Sequence, residues 1–111
     1  MSRVPPPPFP EVIRMERFEF EYPASIPVAR RAHVGVVASG DLEVLLEPSP
    51  DGRSRVRVRT SVDGYREVWA SVLDRFFARW QGAAAIEIND FGATPGMVSL
   101  RLQQAAEESA P

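Results

Sequence analysis

The chain has 111 residues, of which 44% are hydrophobic and 25% charged, with a net charge of −2. This suits one compact domain that buries about two-thirds of its unfolded surface and leaves little room for an enclosed active site. The absence of cysteine excludes disulfides, thiolate catalysis and Cys-ligated zinc, and a single histidine, His33, excludes a multi-His metal site. All 13 basic residues are arginines, but net acidity argues against a general nucleic-acid binder. No apolar run approaches the roughly 18 residues of a membrane-spanning helix, and Met1 to Pro10 has no apolar core of a secretory signal. A soluble cytoplasmic domain without a membrane partner is the expectation.

Five of the eleven prolines fall in Met1 to Pro10. Proline fixes φ and removes donors that a sheet needs, so residues 1–14 are expected to be a Pro-rich disordered extension, with a domain over 15–108. Arg17 to Tyr22 alternates, with Phe18, Phe20 and Tyr22 on one face, the period-two signature of a half-buried strand. Pro23 ends it. A second strand is predicted over Arg31 to Val37 and a third over Leu42 to Glu47, joined by the turn-forming Ala38-Ser39-Gly40-Asp41. The fourth, Ser54 to Ser61, turns Val56 and Val58 inward and Arg55, Arg57 and Arg59 outward.

Tyr65, Val68, Trp69, Val72, Leu73, Phe76, Phe77 and Trp80 then repeat at helical spacing, predicting a helix that anchors the apolar face of the sheet. Asp63 is the expected N-cap and Gly82 the expected C-terminal stop. A short strand, Ala85 to Asn89, follows. In the last segment Val98, Leu100 and Leu102 alternate like a strand, whereas Met97, Val98, Leu102, Ala105 and Ala106 fit a helical face. Thr94 before Pro95 reads as N-cap plus first-turn proline, which decides for helix. The predicted fold is α+β, a mainly antiparallel sheet of about five strands packed on two helices in the order β-β-β-β-α-β-α.

Few residues carry chemistry by themselves. His33 has no Ser, Cys or carboxylate partner at motif spacing and reads as structural. Arg55, Arg57 and Arg59 match phosphate oxygens in geometry, which leaves open a small phosphate- or RNA-binding module; Glu19, Glu21, Glu43 and Glu47 on neighbouring outward faces make a solvated charged face the simpler reading. Asp90-Phe91-Gly92-Ala93-Thr94-Pro95-Gly96 could point backbone N–H groups of a helix start at an anion, but it matches no phosphate-loop spacing, and a strand-to-helix connection needs such turn residues anyway. Ser39 sits at a hairpin tip between small neighbours, accessible to a bulky reagent. From the residues alone it is an exposed serine with no reaction attached, and a purely structural adaptor remains open.

Val34-Gly35-Val36-Val37-Ala38-Ser39-Gly40-Asp41-Leu42-Glu43-Val44-Leu45-Leu46-Glu47-Pro48 resembles the carrier segment of the malonate decarboxylase acyl carrier protein, or delta subunit, family. Asp90 to Gly96 resembles that family's loop before its last helix, and Thr60-Ser61-Val62-Asp63 before an aromatic-rich helix also fits. Asn89 departs from the family pattern, where a histidine precedes the Asp-Phe-Gly run. The acyl carrier of citrate lyase has a similar serine segment but a different loop before its last helix, so a related lyase is the alternative.

The resemblance implies a non-catalytic carrier subunit, with Ser39 joined through a phosphodiester to 2'-(5''-phosphoribosyl)-3'-dephospho-CoA, a phosphopantetheine-like prosthetic group whose thiol holds acetyl or malonyl. Ala38, Gly40 and Asp41 would support the attachment loop, with Ala38 and Gly40 keeping it uncrowded and Asp41 stiffening it. Arg55, Arg57 and Arg59 would contact phosphates or a partner. The implied partners are the transferase and decarboxylase subunits of malonate decarboxylase and a prosthetic-group transferase, which leaves the chemistry of malonate cleavage to acetate and carbon dioxide on other chains.

Overall fold

The computed structural model describes residues 15–111; the predicted Pro-rich extension, residues 1–14, lies outside the described residues. The elements run β1 (Glu16–Pro23), β2 (Ile26–Pro27), β3 (Ala32–Gly35), β4 (Leu42–Pro48), β5 (Arg53–Thr60), α1 (Arg66–Arg79), β6 (Gly82–Asp90) and α2 (Pro95–Glu108). One mixed, mostly antiparallel sheet has the order β1-β5-β6-β4-β3, with β2 paired to β6 beside it. β5 and β6 are parallel neighbours. Parallel strands need a long crossover, and α1 is that crossover.

Period-two patterning builds the buried face of the sheet. Leu42, Val44 and Leu46 of β4, Val56 and Val58 of β5, and Ile86 and Ile88 of β6 are at most 2% exposed. Trp69, Val72, Leu73 and Phe77 of α1 and Val98, Leu102 and Ala105 of α2 close over them. Tyr22 of β1 stacks on Phe77 with ring centroids 4.2 Å apart, and its hydroxyl donates to Asp74 Oδ1 at 2.7 Å. Burial and this bond to a carboxylate both push the Tyr22 phenol above its ordinary range. The opposite face of the sheet is polar.

Several local expectations change. β3 stops at Gly35 rather than Val37, because Gly35 adopts φ +81° and turns the chain out of the sheet. Val36 and Val37 are left exposed. β2 was not anticipated; it is two residues long, too short for a period to show. Asp63 does not cap α1: Asp63 and Gly64 form a turn, with Gly64 N donating to Glu16 Oε1 at 2.6 Å, and Tyr65 occupies the cap position without a side-chain bond. Tyr65 therefore precedes the helix, while Val68 lies about 100° around it from Trp69; both are exposed. Gly82 opens β6 rather than stopping α1, which ends at Trp80 in extended backbone. A side chain at Gly82 would collide with the Trp80 ring. The α2 reading holds: Thr94 is the N-cap, its Oγ1 accepting from Met97 N at 3.2 Å, with Pro95 in the first turn.

Replacing Leu73, which is fully buried, by alanine is expected to cost about 2–5 kcal/mol in urea unfolding. Leu100→Ala, on the exposed side of α2, is expected to stay within about 0.5 kcal/mol. Equal effects would contradict the helix faces assigned here.

Candidate functional site

Ser39 lies in a four-residue turn between β3 and β4, closed by Asp41 N donating to the Ala38 carbonyl at 3.0 Å. Gly40 occupies the third position with φ +78°, the requirement of a type II turn, in which L side chains are disfavoured. Apart from its chain neighbours, a Cβ at Gly40 would meet nothing within 4 Å among the described residues. The positive φ by itself calls for glycine at this position. Ser39 is exposed at the second position of the turn, flanked by exposed Ala38 and Gly40.

The turn is held against the loop that follows β6. Gly40 N donates to Phe91 O at 2.7 Å and Phe91 N donates to Asp41 O at 2.9 Å. The two segments singled out in the sequence, around Ser39 and from Asp90 to Gly96, are thus directly hydrogen-bonded. Asp90 secures the loop in turn: its carboxylate, 2% exposed, accepts from Thr60 Oγ1 at 2.8 Å and from Ala93 N at 3.0 Å. The polar requirement of this buried carboxylate is met by loop and strand ends.

The Asp41 side chain has two partners. Oδ1 accepts from Leu42 N at 2.7 Å, and Oδ2 accepts from Arg101 Nη2 of α2 at 3.1 Å. Both hold the carboxyl below the usual range, the Leu42 amide bond first and then Arg101. Arg101 carried no signal in the sequence, because a single arginine in a helix rich in polar residues reads as solvent-facing. The spacing that selects it is set only when α2 packs beside β3 and β4.

The arginine strand does not gather at the serine. Arg55 reaches Asp51 at 2.6 Å and Glu21 at 3.6 Å, and Arg57 reaches Glu19 at 3.4 Å. Arg55, with Ser49, holds Asp51 down to about 2, and the pairing pushes the Arg55 guanidinium up. Arg59 opposes Asn89 at the end of the sheet that carries the serine turn, whereas Arg55 is about 13 Å further along the strand. Among the described residues Arg59 has no ion-pair partner. Glu19 and Glu21 pair with the arginine strand as anticipated. Glu43 and Glu47 do not, because β6 separates β4 from β5; Glu47 pairs with Arg31 at 3.3 Å.

Glu43 instead joins a cluster invisible to motif spacing. Its Oε2 lies 3.0 Å from His33 Nε2, and its Oε1 accepts from Asn89 Nδ2 at 2.9 Å. His33 therefore has a carboxylate partner, supplied by the β3–β4 register. Asn89 Oδ1 is buried without a partner. Among the described residues no base is hydrogen-bonded to the Ser39 hydroxyl, and no group of three or more His, Cys, Asp or Glu side chains is placed to hold a metal. An exposed hydroxyl without a general base is suited to being modified rather than to attacking a substrate.

The family model for the malonate decarboxylase delta subunit (MdcD) matches residues 29–109. The malonate decarboxylase acyl carrier protein of Azotobacter vinelandii is 55% identical over 95 residues, covering 85% of this chain and 96% of that protein. That of Pseudomonas paraeruginosa is 53% identical over 96 residues, covering 86% and 97%. A chain in a crystal structure of a Pseudomonas malonate decarboxylase hetero-tetramer in complex with malonate superposes with a TM-score of 0.82 at 49% identity, covering 86% of this chain and 99% of that one. This chain belongs to the malonate decarboxylase delta subunit family, whose curated members matched here are acyl carrier proteins.

Two outcomes test this geometry. Gly40→Ala is expected to cost about 1–2 kcal/mol, the left-handed backbone penalty alone; Gly35→Ala is expected to cost more in the same urea titration, since its Cβ would also collide with the Leu42 carbonyl. Asp41, depressed in the folded state, contributes stability above the ordinary carboxylate pKa of about 3.9 and loses it as pH falls through the folded value. Thermal melts of Asp41→Asn should therefore fall less than wild type between about pH 5 and pH 2, and parallel curves would contradict the assigned partners.

Proposed function

We propose that this chain is the acyl carrier subunit of a malonate decarboxylase and that Ser39 is the residue to which its prosthetic group is attached. Family membership supports the carrier role. The observation that supports Ser39 is its place: an exposed primary hydroxyl at the corner of a turn whose backbone is held on the far side by Phe91.

The surroundings of Ser39 fit 2'-(5''-phosphoribosyl)-3'-dephospho-CoA. The neighbouring side chains are a methyl group and a hydrogen, and among the described residues beyond those neighbours nothing lies within 4 Å of a Cβ built on Gly40. The Ser39 oxygen would carry the phosphodiester and the turn would present it outward. When bound, the group supplies a thiol that holds an acyl chain as a thioester. The chain's own contribution is to exclude competition and to hold the anchor: it has no cysteine to exchange with that thiol, and among the described residues no general base is hydrogen-bonded to Ser39. Val36 and Val37, each 56% exposed beside the turn, offer an apolar shoulder for the prosthetic-group transferase and for the transferase and decarboxylase subunits. The chain itself is not catalytic in this scheme.

Intact-mass measurement with fragment localisation, on full-length chain produced together with prosthetic-group synthase and transferase, tests this. A nucleotide-containing mass is expected on Ser39 of wild type and absent from Ser39→Ala. Unmodified wild type, with the same enzymes active on a known carrier, would overturn the assignment.

A further inference from the structure

Resting on the reading of Ser39 as the attachment point, we propose that Arg101 of α2 is a positioning residue for Ser39, acting through Asp41 to set the turn that presents the hydroxyl. Arg101 is placed by the core: it precedes Leu102, which is fully buried, so its stem leaves a helix that cannot shift without opening the interior. Its guanidinium is partly buried, with side-chain exposures of 23% for Arg101 and 21% for Asp41. Nη1 donates to Gln104 Oε1 at 3.2 Å and Nη2 to Asp41 Oδ2 at 3.1 Å. Nε is buried and unpartnered.

The route from helix to serine is short. Asp41 is the last residue of the turn whose second residue is Ser39, and its backbone amide closes that turn on Ala38. The opposite side of its carboxylate takes the Leu42 amide, so one side chain ties the turn both to the start of β4 and to α2. Gly35 belongs to the same arrangement, because a Cβ there would come within 3.4 Å of Arg101 Nε as well as against Leu42. Among the described residues, Arg101 forms no ion pair with any other carboxylate. Its loss would therefore remove the turn's tie to α2 while leaving the backbone bonds to Phe91 and the sheet in place.

Other surfaces carry less. The groove between α1 and α2 near Arg75, Phe76, Arg79 and Trp80 has nothing on it that selects an occupant, and the His33–Glu43–Asn89 cluster lies on the open face of the sheet, where His33 lines a groove shared with Arg31, Arg55 and Arg57 whose occupant is equally unspecified.

The test uses full-length Arg101→Leu and Arg101→Lys, with Asp41→Asn as a variant that leaves α2 untouched. Amide hydrogen exchange is read at Gly40, Asp41 and Leu42 and, as an internal standard, at Val58 and Ile88. Loading of Ser39 by prosthetic-group transferase and precursor is followed by intact mass at varied carrier concentration. Arg101→Leu and Asp41→Asn should speed exchange of the turn amides about tenfold, the equivalent of one charge-assisted hydrogen bond, without changing Val58 and Ile88. Loading should lose kcat to a similar degree with KM near wild type, and Arg101→Lys, which keeps the charge but not the fork, should recover part of both. Unchanged turn exchange, equal acceleration in the sheet, or a loosened turn that loads with wild-type kcat would each overturn the proposal. Wild type that is not loaded, by a transferase active on a known carrier, would overturn the attachment reading instead, and the exchange rates would still decide whether Arg101 holds the turn.

Discussion

Strand β6 is hydrogen-bonded on both sides along most of its length, to β5 in parallel and to β4 in antiparallel register, and the rest of the molecule follows from that double pairing. The parallel partner forces a crossover, which becomes α1 and covers half of the apolar face. The antiparallel partner sets Leu42 opposite Asp90, so the chain leaving β6 must pass the turn that enters β4. Two backbone bonds between that turn and Phe91 are the consequence. A one-residue slip of β4 would both invert its buried face and break this junction.

The sheet has helices on one face only, and its other face is a lattice of opposite charges. Arg53 and Arg55 with Glu21, and Arg57 with Glu19, are exposed pairs that contribute little stability individually. Their effect is to keep an open sheet face polar. The candidate site lies instead on the rim, where a turn can be exposed on one side and held by backbone bonds and a carboxylate on the other. This is how a chain with little interior volume can hold an exposed hydroxyl in a defined position: the constraint comes from the neighbouring loop and helix.

Patterning made most of the fold legible. Alternation marked β1, β4 and β5, the heavy aromatic repeat marked α1, β6 was expected only as a short strand over Ala85 to Asn89, and Thr94-Pro95 resolved the ambiguity of α2. Two of the failures depended on a neighbour distant in sequence and one on a ring two residues away. Asp63 satisfies the composition of a cap but lies in a turn whose glycine amide bonds Glu16 of β1. Gly82 resembles a helix stop but is small because the Trp80 ring occupies its side-chain space. Glu43 looked available to the arginine strand until β6 came between them. Within the site, Ser39 and its small neighbours were visible as a hairpin tip, whereas Arg101 was not.

By itself the sequence determined which faces are apolar, where the chain must reverse, and which chemistries are closed to it for want of cysteine and of more than one histidine. Those are local properties, set by periodicity, backbone preference and residue inventory. Tertiary structure decided what the reversals do: it brought the Ser39 turn to Phe91, gave His33 the Glu43 carboxylate, and set Arg101 against Asp41. Such pairings depend on strand order and helix docking, and each joins residues whose separation along the chain carries no periodic signal.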